Sequence, residues 1–155
     1  MKQIEIKAAI ENLIDTFLYA GKVSIELRKK GLIKEIKEDN TPVSNGDLEV
    51  NRILTEKINN LTPQIPIVSE ETSHNKSKKD LKNFWLIDPI DGTYDYINDL
   101  DEFTLNAGLI INNRAVAGII YAPAKNRLFY SYEKGCSFEI INSQHVKLDC
   151  SKISN

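Results

Sequence analysis

From Phe103 onward the chain alternates between strand-like runs and clusters of turn residues. The runs are 103–111, 114–121, 127–132, 136–141 and 145–149. The breaks are Asn112-Asn113, Pro123-Ala124-Lys125-Asn126, Glu133-Lys134-Gly135 and Asn142-Ser143-Gln144. Turn chemistry recurring at roughly ten-residue spacing predicts an antiparallel meander. No other feature limits the possible folds so tightly.

The region before the meander reads as helical. Ile6, Ile10, Leu13, Phe17, Ala20, Ser24 and Leu27 recur at three-and-four spacing, which predicts one long helix with a mostly apolar stripe. Lys29 and Lys30 fall in its last turn and Gly31 follows as a C-cap. Residues 32–43 form a connection, with 34–37 extended. A second helix starts near Ser44, with Leu48, Ile53, Leu54, Ile58 and Leu61 on its buried face and Pro63 just past its end. Ile65–Val68 is a short apolar run, residues 72–82 are a polar and mobile surface loop, and Phe84–Ile87 is a strand. That strand is apolar at every position, which predicts cover on both faces. Helices first and strands later give an α+β protein, its N-terminal helices packed on a mostly antiparallel sheet. At 155 residues and 41% hydrophobic, the chain is sized for one domain with a real core.

The chemistry concentrates in Trp85-Leu86-Ile87-Asp88-Pro89-Ile90-Asp91-Gly92-Thr93, where an apolar strand runs into two carboxylates. Asp, Pro and Gly are also ordinary turn residues, so a simple tight turn is one reading. The other is a cation site. Pro89 pushes Asp88 into an extended conformation, and the turn that follows brings Asp88, the Ile90 carbonyl and Asp91 toward one point. Such oxygen sets suit Mg²⁺, which takes octahedral oxygen ligands at about 2.1 Å. Glu70-Glu71 ends a second short apolar run. If the two strands are parallel neighbours, both acidic ends share one sheet edge and repel each other unless a cation lies between them. Two solvated surface carboxylates are the plainer alternative. Gly92-Thr93 opens a short helix whose free N–H groups suit a phosphate. Asp47 has capping-box spacing from Ser44, so it is either a helix cap or a proton acceptor beside the metals.

Together these segments resemble the inositol monophosphatase superfamily of Mg²⁺-dependent, lithium-sensitive phosphatases. The matching stretches are KEDNTPVSNGDLEVN at 37–51, PIVSEE at 66–71, WLIDPIDGT at 85–93 and AGIIYAPAKNRLFYSYEKG at 117–135. FWLIDP, Asp95-Tyr96-Ile97 and EFTLN at 102–106 are most similar to the bacterial 3′(2′),5′-bisphosphate nucleotidase branch. Tyr94 and Gly46 depart from that branch, which usually has lysine and alanine there. The resemblance implies the N-terminal half of the αβαβα sandwich of sugar phosphatases. It implies Glu70, Asp88 and the Ile90 carbonyl on one Mg²⁺, with Asp88 and Asp91 bridging to another, two or three ions in all. It implies that Glu70 and Thr93 position a water, that Asp47 holds the Thr93 hydroxyl, and that the Gly92 and Thr93 backbone binds phosphate. The implied substrate is adenosine 3′,5′-bisphosphate, losing its 3′-phosphate, or an inositol-type sugar phosphate.

Family members continue into a second α/β half with a further metal-binding aspartate in a Trp-Asp-x-Ala type motif. The single tryptophan, Trp85, precedes Asp88 instead. Residues 1–155 are therefore expected to be the N-terminal metal-binding domain without its C-terminal partner, leaving an apolar surface uncovered. Three readings stay open: a shortened chain with little activity, a chain completed by a separately encoded half or by self-association into a homo-oligomer, and a catalytically silent metal-binding or assembly module. A formal charge of −2 argues against nucleic acid as a partner. No run is long enough to span a bilayer, and the N-terminus is too polar for a signal peptide, so the expected location is the cytoplasm. Cys136 and Cys150 read as free thiols, with a disulfide as the alternative. His74 and His145 lack ligand spacing. Tyr121, Tyr130, Tyr132 and Trp85 read as packing residues.

Overall fold

A computed structural model describes residues 2–36, 42–71 and 81–149. Part of the predicted surface loop (72–80), His74, Cys150 and the start of the 37–51 match lie outside the described residues.

The long N-terminal helix, α1 (Gln3–Lys30), ends at Gly31 with φ of 93°, a conformation that favours glycine. Its stripe is as predicted through Ser24, with Ile6, Ile10, Leu13, Phe17, Ala20 and Ser24 all buried, while Leu27 is only partly buried. A small antiparallel pair follows, β1 (Lys34–Ile36) with β2 (Pro42–Ser44). Helix α2 (Asn45–Leu61) starts directly after the Ser44 cap. Its buried face differs from expectation at one position. Leu48 is 49% exposed, while Val50 is fully buried. The buried line runs through Asp47, Val50, Leu54 and Ile58, and Leu48 lies about 200° of helix rotation from Val50.

Seven strands form the main sheet, in the order β3 (Ile67–Ser69), β4 (Phe84–Asp91), β5 (Thr104–Ile111), β6 (Arg114–Ala122), β7 (Arg127–Glu133), β8 (Cys136–Ile141) and β9 (Gln144–Lys147). Only β3 and β4 are parallel; every later pair is an antiparallel neighbour, as the turn spacing predicts. The turns carry positive φ at Asn112, Asn113, Asn126, Gly135, Asn142 and Ser143. Asn and Gly reach this region at least cost.

Both helices pack on one face of the sheet, where Trp85, Ile87, Leu105, Leu109, Ile119, Leu128 and Tyr130 join the α1 and α2 stripes in a single core. Trp85 lies within it, its indole Nε1–H donating to Thr62 Oγ1 at 2.9 Å. The expected cover on both faces of β4 is not found: Leu86 is 50% exposed. Strand side chains alternate, so Leu86 points away from the helices. Cross-strand register sets Leu86, Gly108, Gly118, Ser131 and Ser137 in one row on that outer face. Beside it run Asp88, Asn106, Ile120 and Phe129. The small row forms the floor of an open trough of about 540 Å³.

Candidate metal and phosphate site

The site lies at the C-terminal ends of β3 and β4. Parallel pairing sets Ser69 opposite Ile87, and the Glu70 N–H donates to the Ile87 carbonyl at 3.1 Å. Glu70 therefore stands next to Asp88, as the sequence predicts for parallel neighbours.

Asp88 and Asp91 are three residues apart, and in a regular strand they would face opposite sides. The ladder shifts between them. Asp88 pairs with Asn106 and Asp91 with Thr104, so two residues on β4, Pro89 and Ile90, oppose one on β5. This is a β-bulge. Pro89 has no N–H to offer a ladder and suits the position. The extra residue turns both carboxylates to the outer face, where Asn106 Nδ2 donates to Asp91 Oδ2 at 3.2 Å. Pro89 and Ile90 remain buried underneath.

Crowding of like charge follows from this geometry. The Asp88 carboxyl is pushed up to about 7, first by burial and then by the charges of Glu70 and Asp91, with further contributions from a hydrogen bond to Glu70 and from Asp47. Among the described residues, buried Asp88 Oδ1 has no hydrogen-bond partner, and neither has Asn106 Oδ1 beside it. Among the described residues, no three His, Cys, Asp or Glu side chains converge closely enough to hold an ion by themselves. The oxygens that could serve are the carboxylates of Glu70, Asp88 and Asp91 and the Ile90 carbonyl, all hard donors of the kind Mg²⁺ takes. The orphaned Asp88 oxygen and the mutual repulsion both fit a cation.

Gly92 follows Asp91 with φ of 94° and caps α3 (Thr93–Ile97). A Cβ at Gly92 would lie 2.6 Å from the Glu102 carbonyl oxygen, so only glycine fits this corner. The Thr93 hydroxyl has two acceptors in reach, Asp47 Oδ1 at 3.1 Å and the Ile90 carbonyl at 3.0 Å. Asp47 is 1% exposed and works on both sides. Its Oδ2 accepts from the Ser44 N–H at 2.8 Å and the Ser44 hydroxyl at 2.6 Å, while Oδ1 faces Thr93. The capping and site readings of Asp47 describe different oxygens of one carboxylate.

The structure thus gathers Asp47, Glu70, Asp88, Ile90, Asp91, Gly92 and Thr93 around the end of β4. Asn106 escaped attention as a site residue. The signal was available: between Leu105 and Ala107 it is the polar member of an alternating strand. Tyr94 is 70% exposed on α3. His145 pairs its Nδ1 with the Tyr130 hydroxyl at 2.7 Å, away from this site. Cys136 is half-buried and its thiol donates to Glu133.

A helical layer on a mostly antiparallel sheet is the fold that this chain shares with solved inositol monophosphatases and CysQ. The chain belongs to the inositol monophosphatase family, whose sequence profile matches residues 6–153. The 3′(2′),5′-bisphosphate nucleotidase CysQ of Aggregatibacter actinomycetemcomitans is 36% identical over 141 residues, 90% of this chain and 52% of that protein. The crystal structure of CysQ from Bacteroides thetaiotaomicron superposes with a TM-score of 0.64 at 26% identity, covering 95% of this chain and 53% of that one. An IMPase/NADP phosphatase complexed with Mg²⁺ and phosphate shares the fold, with a TM-score of 0.71 at 19% identity over 84% of this chain and 50% of that one. The chain spans about half the length of the curated relatives it matches. Among the described residues no helix is long and apolar enough to cross a membrane.

Proposed function

We propose that residues 1–155 are the metal- and phosphate-handling domain of a Mg²⁺-dependent phosphomonoesterase that removes the 3′-phosphate of adenosine 3′,5′-bisphosphate. One observation carries this reading. The bulge at Pro89-Ile90 turns Asp88 and Asp91 to one side next to Glu70, with Asp88 Oδ1 buried and unpartnered. An unsatisfied buried acceptor costs about 1–3 kcal/mol, a cost a cation removes.

Glu70, Asp88 and the Ile90 carbonyl would hold one Mg²⁺, and Asp88 with Asp91 a second. When bound, Mg²⁺ supplies Lewis-acid stabilisation of charge on the phosphoryl oxygens. The chain's own residues do the rest. Asp47 Oδ1 accepts the hydrogen bond of the Thr93 hydroxyl, which leaves the Thr93 oxygen free to accept from a water. Glu70 flanks the same water and orients it. The Gly92 and Thr93 N–H groups hold the phosphate against the attack. Each task is one of positioning, which is where phosphoryl transfer gains most of its rate.

The reading includes a second α/β half that supplies a further aspartate and the wall recognising the base. The outer sheet face supports it. Leu86, Ile120 and Phe129 flank a floor of small residues, Gly108, Gly118, Ser131 and Ser137. Neither glycine is forced by its surroundings, since an added Cβ would meet nothing closer than 3.9 Å at Gly108 and 3.5 Å at Gly118. Small side chains there serve the open side, where a helix of the second half would lie. The same open face favours one other reading, a binding or assembly module without turnover.

Phosphate release from adenosine 3′,5′-bisphosphate with Mg²⁺, measured beside Asp91→Asn, decides between the two. Release lost in the variant supports the enzyme. Mg²⁺ binding without release, both in this chain and in one extended by the second α/β half, supports the module.

A further inference from the structure

Tyr96 sits three residues after Thr93 on the same short helix and is fully buried. Its hydroxyl donates to the Ser24 carbonyl of α1 at 2.7 Å. Its ring lies against Gly46, the residue before Asp47. A Cβ at Gly46 would come within 2.3 Å of the Tyr96 hydroxyl oxygen, 2.6 Å of Cε1 and 2.8 Å of Cζ, closer than any real Cβ contact. Glycine at 46 and tyrosine at 96 are thus two halves of one fit. A side chain at 46 would drive the ring off α2 or break its bond to Ser24.

Three elements meet at this ring. Thr93 rides on α3, Asp47 on the first turn of α2, and the anchor is Ser24 in the C-terminal part of α1. The far side of the ring is closed as well. Phe103 packs at 4.9 Å between centroids, and the Arg28 guanidinium lies 6.0 Å from the Tyr96 centroid and 5.2 Å from that of Phe103. Arg28 itself is clamped to the Leu100 carbonyl at 2.6 Å and to Asp101 at 2.9 Å. The ring therefore has no free direction in which to relax.

We infer that Tyr96, seated on Gly46 and hung from Ser24, is the positioning residue that sets the distance between Asp47 and Thr93. The inference rests on the proposed role of that pair in orienting water, but the geometry it predicts is readable without turnover. Tyr96 touches no reacting atom. It acts by fixing α3 against the N-terminus of α2, and its hydroxyl is the specific element because it ties both to α1. A site group held loosely by its supporting shell loses rate well before it loses fold.

The test uses the whole chain, isotope-labelled at threonine methyls, with the Thr93 signal assigned by its loss in Thr93→Val. Tyr96→Phe is expected to shift or broaden the Thr93 methyl signal while the Trp85 indole N–H signal stays in place. Gly46→Ala is expected to perturb Thr93 in the same way. Gly46→Ala with Tyr96→Phe, which relieves the 2.3 Å clash with the hydroxyl but keeps those with Cε1 and Cζ at 2.6 and 2.8 Å, is expected to perturb it somewhat less than the two single changes combined. Where phosphate release is measurable, Tyr96→Phe is expected to lower kcat about tenfold with KM unchanged. A Thr93 signal that stays put in Tyr96→Phe, with only a lower Tm, overturns the inference. If the unaltered chain binds no Mg²⁺, the functional reading fails and the Thr93 signal still decides the positioning claim.

Discussion

Asp47 and Thr93, 46 positions apart in sequence, share a hydrogen bond of 3.1 Å between the Thr93 hydroxyl and Asp47 Oδ1. The other Asp47 oxygen closes the capping box on Ser44. One buried carboxylate thereby ties the start of α2 to the start of α3, and capping and site geometry become a single constraint.

Substitutions separate the two jobs. Thr93→Val keeps shape and removes the hydroxyl. It is expected to cut phosphate release by about 100-fold through lost positioning of the water, and to cost about 1 kcal/mol or more because Asp47 Oδ1 loses its partner in a buried place. Ser44→Ala is expected to cost about 1 kcal/mol of stability through the cap. Denaturant melts beside initial rates check both. Undiminished release in Thr93→Val, or a loss of release in Ser44→Ala as large as in Thr93→Val, would contradict the division.

Asp88 makes stability depend on pH and metal. Its folded value is about 7 against an ordinary 3.8, so the folded chain holds the proton more tightly than the unfolded chain does. The resulting stability is fully present below about 4 and is lost as pH rises through about 7. The metal-free chain is therefore expected to melt lower at pH 8 than at pH 5.5. Saturating Mg²⁺ is expected to remove most of that difference, because a cation favours the ionised carboxylate. Asp88→Asn is expected to flatten the metal-free profile and to abolish the Mg²⁺ effect. Thermal melts at both pH values, with Mg²⁺ and with chelator, measure all three.

Trp85 offers an optical probe of the core. Its buried N–H donates to Thr62 Oγ1, which in turn donates to the Ile58 carbonyl. Thr62→Val strands the indole N–H in an apolar surrounding and is expected to cost about 1–3 kcal/mol. Equilibrium unfolding followed by the fluorescence of this single tryptophan gives the value directly. A cost below a few tenths of a kcal/mol would mean that the bond is not made.

The outer sheet face is expected to be sticky in the isolated chain. Ile120 is 48% exposed and flanks the trough. Ile120→Lys is expected to lower binding of a hydrophobic dye and to reduce self-association, with stability changed by no more than about 0.5 kcal/mol. Light scattering and dye titration would report it. Unchanged dye binding would place the exposed apolar surface elsewhere.

Where the signals are local, the sequence was readable. The meander was legible because each turn announces itself: Asn112-Asn113 and Asn142-Ser143 take the positive φ that a tight hairpin needs. The caps at Ser44 and Gly31 were legible for the same reason. What depends on distant partners was not. Nothing in Phe84–Ile87 says that helices cover only one face, because the neighbours that decide it lie on α1 and α2. The bulge that turns Asp88 and Asp91 together shows itself only in the register against Asn106 and Thr104. Leu48 is apolar but lies off the phase of the buried side of α2, which includes the non-apolar Gly46 and Asp47. The fit between Gly46 and Tyr96 joins residues 50 positions apart and left no trace in spacing.

The central claim is that Asp88 and Asp91 are turned together to hold a hard cation. Calorimetric titration of Mg²⁺ into the chain at pH 8, with Asp88→Asn and Asp91→Asn alongside, tests it most directly. The account predicts saturable binding in the unaltered chain, lost in Asp88→Asn and weakened at least tenfold in Asp91→Asn. Equal Mg²⁺ binding in all three proteins would contradict it.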